Sequence, residues 1–271
     1  MSRRWWSATT LFGMLCGTGL VLGAAALGLV GLDPDRGVAL AFGAFTKLSF
    51  LTAAAVHALV CARRIASLAW KLMAAGFGGY ALGQACLTVY QVVLHIPLPF
   101  PSWADLFFVS GSLVLVVALW VFLVELERTG CPLDLRRRLP TDLLWILGLG
   151  GVLSAWIVLP VFEQGIDVGT WLSLVYPVTD LLLLVPAVLL YQVTAVFRGG
   201  FVRRVWTSLL IGMGLFLVGD LLFSRLTEQA DPWLVWAVDM SFVSGYALVA
   251  RACAMQSDLV RGRAVDLGPA A

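Results

Sequence analysis

The stretch Trp103-Ala-Asp-Leu-Phe-Phe-Val-Ser-Gly111 returns near the C-terminus as Trp236-Ala-Val-Asp-Met-Ser-Phe-Val-Ser-Gly245. In both stretches an acid, Asp105 or Asp239, is followed after two further residues by Phe-Val-Ser-Gly. The two acids are 134 positions apart, and each lies near the start of a long apolar segment. The copy predicts that the chain consists of two similar halves.

The composition decides the class of protein. Of the 271 residues, 61% are hydrophobic and 13% are charged, against roughly 45–50% and 25% in an ordinary soluble domain. Apolar stretches of about 20 residues, the length needed to cross a bilayer, recur along nearly the whole chain. Because a helix satisfies its own backbone hydrogen bonds in lipid, we predict an all-α polytopic membrane protein whose first partner is the lipid bilayer.

Turn-forming segments divide the apolar sequence. Asp33-Pro-Asp-Arg36 and Ile96-Pro-Leu-Pro-Phe-Pro-Ser102 are two of these breaks. The eight predicted transmembrane helices cover about 8–32, 37–62, 66–94, 102–126, 141–163, 170–195, 204–226 and 232–255.

The basic residues predict the orientation. Lys and Arg accumulate in alternate connections, as the positive-inside rule expects of cytoplasmic loops. Arg63 and Arg64 lie on the basic side, whereas the opposite side holds only Arg36 and Arg225. Both termini are therefore predicted to be cytoplasmic, which requires an even number of spans.

A further match extends the repeat into the apolar helices. Lys47 and Asp180 are 133 positions apart, each followed by Leu and preceded by Thr. The predicted parts are a first four-helix repeat at 1–134, a second at 135–256 and a short cytoplasmic tail at 257–271. Parallel repeats of this kind are related by an axis along the membrane normal. The alternative is that Leu-rich helices resemble one another by chance.

Polar side chains within the predicted helices mark a candidate pocket in the outer half of the bilayer. A charged side chain at depth costs about 2.5–3.5 kcal/mol, so such residues normally face a bundle interior or water. The candidate residues are Lys47, Gln84, Asp105, Tyr176, Asp180, Asp220 and Asp239.

The symmetry predicts one particular contact within this pocket. Lys47 and Asp180 occupy equivalent positions, so we expect them to face each other across the axis as an ion pair. A structural alternative remains open, in which that pair is inert and Asp105 and Asp239 only cap helix N-termini, where acids are favoured.

The sequence lacks the motifs of the common enzyme classes. It contains no Walker loop, no Gly-x-Ser-x-Gly and no His-Glu-x-x-His, so we predict no catalytic residues and no enzyme. The cysteines form no Cys-x-x-Cys pair and His57 has no second histidine or acid at helical spacing. We therefore expect no metal site and no cofactor. The formal charge of +2 is too small to indicate a nucleic-acid partner.

Three short motifs carry a resemblance to a class of proteins. They are Pro101-Ser-x-x-Asp105, Tyr176-Pro-x-x-Asp180 with four leucines after it, and Gly219-Asp-Leu-Leu-Phe223. The chain resembles, in these motifs, the multi-helix membrane sensor regions that precede diguanylate cyclase or histidine kinase domains in bacteria. The resemblance implies a sensory or ligand-binding module in the bacterial cytoplasmic (inner) membrane. The Gly-Gly-Asp/Glu-Glu-Phe signature and a kinase domain are missing, so output is expected through a partner protein.

The leading prediction of function is therefore a sensory or small-ligand-binding membrane module that signals through a partner. One alternative is a small transporter or proton-coupled permease that uses the same acids as relays. Another is a structural or assembly subunit of a membrane complex, in which the acids only form ion pairs. An intramembrane enzyme ranks last, and the sequence does not fix the oligomeric state.

Overall fold

Helices account for nearly all of the chain that can be described. The computed structural model describes residues 36–96, 99–128, 135–162, 168–194, 200–224 and 232–262, and within these ranges it contains no strand. The helices are α1 (Arg36–Ile65), α2 (Leu68–Thr88), α3 (Trp103–Arg128), α4 (Leu135–Phe162), α5 (Val168–Thr194), α6 (Phe201–Phe223) and α7 (Pro232–Val260). A π-helical turn, Val89–Val93, continues α2.

Six of these helices are long and apolar enough to cross a membrane. They are all except α4, whose apolar segment is the shorter Leu139–Leu153. The prediction of an all-helical protein with several membrane-spanning helices is therefore confirmed for the described residues. The predicted helix at 8–32 lies outside the described residues.

The last helix is longer than the sequence indicated. It was predicted to end near residue 255, but α7 continues to Val260, into the segment assigned to a cytoplasmic tail. The added turn is packed, since Ser257 and Asp258 are both buried. Buried side chains hold a helix together beyond the point at which its sequence ceases to be apolar.

Six of the helices form a closed ring. Each of α1, α2, α3, α5, α6 and α7 packs against its two neighbours in that order, and the ring closes where α7 meets α1. The helix α4 packs mainly against the outside of α5. Large buried side chains, among them Met73, Phe77, Leu115 and Met213, belong to one continuous apolar core.

Small residues bring two of the helix pairs into close contact. On α2 and α3, a Cβ atom at Gly111 would lie 2.9 Å from the carbonyl oxygen of Gly76. On α6 and α7, a Cβ atom at Gly212 would lie 2.9 Å from the carbonyl oxygen of Gly245. Membrane helices approach closely where such small residues face each other, so both pairs depend on glycine at the crossing.

An aromatic ring lies against a glycine in each of the same two pairs. The ring of Phe108 on α3 lies 3.0 Å from where a Cβ atom of Gly83 would be, and the ring of Phe242 on α7 lies 2.8 Å from the corresponding position at Gly219. Glycine leaves space for an aromatic side chain at both positions.

A carboxylate from another helix caps the N-terminus of α2. Glu125, near the end of α3, accepts hydrogen bonds from the Leu68 and Ala69 amides at 3.0 and 3.3 Å and from the Ser67 hydroxyl at 2.6 Å. An acid at a helix N-terminus satisfies free N–H groups and is favoured by the helix dipole. This contact fixes the end of α3 to the start of α2.

Candidate functional site

A cavity of about 260 Å³ lies at the end of the ring where α1, α3, α5 and α7 begin and α2 and α6 end. Six of the seven residues that the sequence singled out line it. Each comes from a different helix of the ring: Lys47 from α1, Gln84 from α2, Asp105 from α3, Tyr176 from α5, Asp220 from α6 and Asp239 from α7. Six helices therefore each place at least one polar side chain in the wall of one cavity.

The only salt bridge found among the described residues joins Lys47 to Asp239. Lys47 Nζ lies 2.8 Å from Asp239 Oδ1, and the Lys47 side chain is 15% exposed. The predicted pair of Lys47 with Asp180 is therefore wrong. The physical reason is the ring order, since α1 neighbours α7 but does not contact α5. Equivalent positions in the two halves lie apart, and the lysine instead reaches the adjacent helix.

Asp239 does not cap a helix. It lies seven residues after Pro232, where α7 begins, and the first turn of α7 contains no acid. The capping alternative is therefore wrong for Asp239, whose carboxylate is held by Lys47.

Asp105 combines a cap with a contact between helices. Its Oδ2 accepts hydrogen bonds from the Ser102 amide at 2.5 Å and from the Ser102 hydroxyl at 2.9 Å, an arrangement similar to a capping box. Its Oδ1 accepts a hydrogen bond from the Tyr176 hydroxyl at 2.6 Å. Asp105 therefore does cap α3, but it does not only cap it, because the second oxygen connects α3 to α5.

Asp180 lies behind the cavity wall rather than in it. It is 1% exposed, and its carboxyl group lies close enough to that of Asp220, on the neighbouring helix α6, for the two groups to interact electrostatically. Its Oδ2 has no partner. A proton or a cation near the two groups is favoured, because two bare carboxylates close to each other repel strongly in a low-dielectric site.

Gln84 presents an unused donor at the cavity. Its side chain is 2% exposed, and Nε2 has no hydrogen-bond partner. A buried donor without a partner costs about 1–3 kcal/mol. The amide donor is therefore available to a ligand that offers a hydrogen-bond acceptor.

Aromatic side chains that the sequence analysis had not proposed as site residues complete the wall. Tyr80 stacks on Phe216 with ring centroids 5.7 Å apart and meets Phe108 edge to face at 5.5 Å. Tyr246 packs against Phe216 and Phe242 at 5.2 and 6.0 Å. The repeat contained a signal for them, since Tyr80 and Phe216 share the 136-residue spacing of Gly83 and Gly219.

A second group of buried polar atoms lies near the other end of α1 and α7. Within the described part of the chain, no hydrogen-bond partner is found for His57 Nδ1, Ser257 Oγ or either carboxyl oxygen of Asp258. This group contains too few ligands for a metal ion, and no cluster of three His, Cys, Asp or Glu side chains that could hold one occurs in the described parts of the chain.

The comparisons with known proteins found no matching family model, no matching curated protein and no matching solved structure. The resemblance to bacterial membrane sensor regions therefore stays a prediction. The chemistry of the site has to be derived from its own geometry.

Proposed function

We propose that this chain is an integral membrane sensory module that binds a small polar ligand in the ring cavity and signals through a partner protein. The observation that carries the proposal is the convergence of at least one polar side chain from each of six helices on one cavity. A ligand that contacts several of these groups binds one packing of the ring better than another. It can therefore shift the population of ring packings.

The proposed architecture has eight transmembrane helices in two four-helix repeats, at 1–134 and 135–256. Matching contacts support it. The glycine contact between α2 and α3 has a counterpart between α6 and α7, as does the contact of a phenylalanine ring with a glycine. The ring order supports it too, since α1 contacts α7 just as α5 contacts α3.

The proposed orientation places the cavity in the outer half of a bacterial cytoplasmic membrane, with both termini in the cytoplasm. The support is the distribution of charge. Basic residues lie at the end of the ring remote from the cavity: Arg63, Arg64, Arg128, Arg204 and Arg251. Cytoplasmic ends of membrane helices carry such an excess.

The packing beyond the cavity favours a sensor over a transporter. Leu51, Ala54, Met73, Leu119 and Met213 are at most 1% exposed and belong to the apolar core between the two ends of the ring. A transported solute needs a polar route, whereas a signal needs only helices that shift together. The apolar packing of this region provides helices that can shift together, but it provides no polar route.

A proton-coupled permease is the second candidate. It is favoured by the neighbouring carboxyl groups of Asp180 and Asp220 on the packed helices α5 and α6, because two interacting carboxyl groups can take up and release one proton. Buried acids within membrane helices often serve in proton relays.

Ligand binding by the full chain in lipid nanodiscs tests the proposal. Thermal unfolding is measured with a set of small amines, carboxylic acids and sugars. We expect at least one class to raise the unfolding midpoint, since a ligand that binds only the folded protein stabilises it. Asp220→Asn should weaken this effect, whereas Asp142→Asn on α4, outside the ring, should leave it unchanged.

Each rival function has its own outcome. Solute or proton flux into proteoliposomes that is lost in Asp180→Asn would establish the permease instead. Absence of both binding and flux would leave only the structural subunit, and the sensory proposal would be wrong.

A further inference from the structure

We infer that the cavity binds a small organic ammonium compound that also carries a hydrogen-bond acceptor. This inference rests on the proposed ligand-binding function and names the class of ligand. It follows from the charges around the cavity, from the lining of its wall and from the one buried donor without a partner.

The charges around the cavity do not balance. Three carboxyl groups line the cavity, those of Asp105, Asp220 and Asp239, and that of Asp180 lies behind its wall, whereas the lining contains a single ammonium group, that of Lys47. Lys47 neutralises Asp239. Asp105 is held by uncharged donors. The pair of Asp180 and Asp220 has no cationic partner in the described ranges, and one oxygen of Asp180 is unpaired.

The repeat explains why the imbalance falls on one side of the cavity. In the first half Lys47 brings a cation into the ring, but the equivalent position in the second half is an acid, Asp180. The second half therefore has the anionic partners without a cation of its own.

The wall favours an organic cation over a metal ion. Divalent metal ions need about six oxygen ligands in close contact, whereas much of this wall is aromatic. Tyr80, Phe216 and Tyr246 line the cavity beside Asp220. Aromatic ring faces attract cations, and such rings form the known cages for ammonium groups.

Size and hydrogen bonding narrow the class further. A volume of about 260 Å³ far exceeds the roughly 10–15 Å³ that a single water needs, so the cavity fits a molecule rather than an ion. The free donor of Gln84 calls for an acceptor on the ligand. An amino alcohol or a related ammonium compound with an oxygen atom has both groups.

Ethanolamine and choline are the probes, with 3,3-dimethyl-1-butanol as the uncharged analogue that has the shape of choline. The full chain in nanodiscs is titrated with each compound and with Na⁺ and Ca²⁺, and dissociation constants are obtained calorimetrically. We expect both ammonium compounds to bind. The uncharged analogue should bind at least about tenfold more weakly, because it lacks the charge that the acids and rings attract.

Three variants locate the binding. Asp220→Asn should weaken binding of ethanolamine by about tenfold, since the ammonium loses a charged partner. Gln84→Leu should weaken it by a smaller factor, because a single neutral hydrogen bond is lost. Asp142→Asn is the matched control and should bind as the unaltered chain does. The unfolding midpoint of each variant without ligand shows that it is folded.

The experiment distinguishes failure of the ammonium inference from failure of the proposed sensory function. Equal binding of the uncharged analogue, binding of metal ions alone, or a ligand found only among acids and sugars would overturn the ammonium inference while leaving the sensory function standing. If no compound of any class binds, both are wrong.

Discussion

The ion pair between Lys47 and Asp239 is a contact whose residues were selected from the sequence but whose pairing was not. The Lys47 side chain is 15% exposed, whereas that of Asp239 is 49% exposed. A partly exposed pair is worth less than a buried one, for which loss of one partner costs about 3–5 kcal/mol. Screening at the exposed carboxylate lowers that figure, so we take about 1–2 kcal/mol for this pair.

Lys47→Met is therefore expected to destabilise the protein by about 1–2 kcal/mol, because it leaves Asp239 without its partner. Adding Asp239→Asn should recover part of this loss. Thermal unfolding of the two single variants and the double variant measures the coupling. Lys71→Met, at an exposed lysine on α2, is the matched control and should change stability little. Simple addition of the two single effects would show that the groups do not interact.

The sequence could place these residues but not pair them. Depth along a helix follows from the rise per residue, and this was enough to select six side chains that line one cavity. A pairing depends on which helices are neighbours, and no local pattern in the sequence states the order of the ring. Lys47 was therefore placed correctly and joined to the wrong acid.

At the scale of helices, glycine contacts hold two pairs of the ring together. A Cβ atom at Gly212 would lie 2.9 Å from a backbone oxygen of α7, which cannot move without moving the helix. At Gly214, two residues further along α6, a Cβ atom would meet nothing within 4 Å. The helix α6 therefore contains one glycine at a close helix contact, Gly212, and a nearby glycine without such a contact, Gly214, which serves as its control.

Gly212→Ala is expected to destabilise the protein by about 1–3 kcal/mol, as overpacking does. Gly214→Ala should be neutral or stabilising by up to about 1 kcal/mol, because alanine is the better helix former. If the halves are equivalent, Gly76→Ala and Gly78→Ala on α2 should repeat this contrast. Thermal unfolding midpoints of the four variants in nanodiscs measure these changes in stability. Equal effects of the two substitutions on α6 would contradict the close contact.

At the scale of the whole molecule, the class of fold could be predicted more fully than the cavity. Hydrophobic length alone indicates membrane helices, and α1 to α7 each correspond to a predicted segment. The aromatic wall could not be predicted in the same way. The repeat spacing relates Phe216 to Tyr80, but the surrounding sequence is mostly apolar and does not indicate where these rings or that of Tyr246 point. Only the packing of the ring shows that they face the cavity.

The orientation of the ring decides from which side a ligand reaches the cavity. Ile96 lies just beyond the π-helical turn, at the cavity end, and is 43% exposed. Arg64 lies at the opposite end, in the last turn of α1. In a chain whose own cysteines are replaced by serine, Ile96→Cys should react with a membrane-impermeant maleimide in intact cells. Arg64→Cys should react only after lysis, because the basic end of a membrane protein faces the cytoplasm. The reverse pattern would place the cavity on the cytoplasmic side, so that a sensor of this form would respond to the interior of the cell.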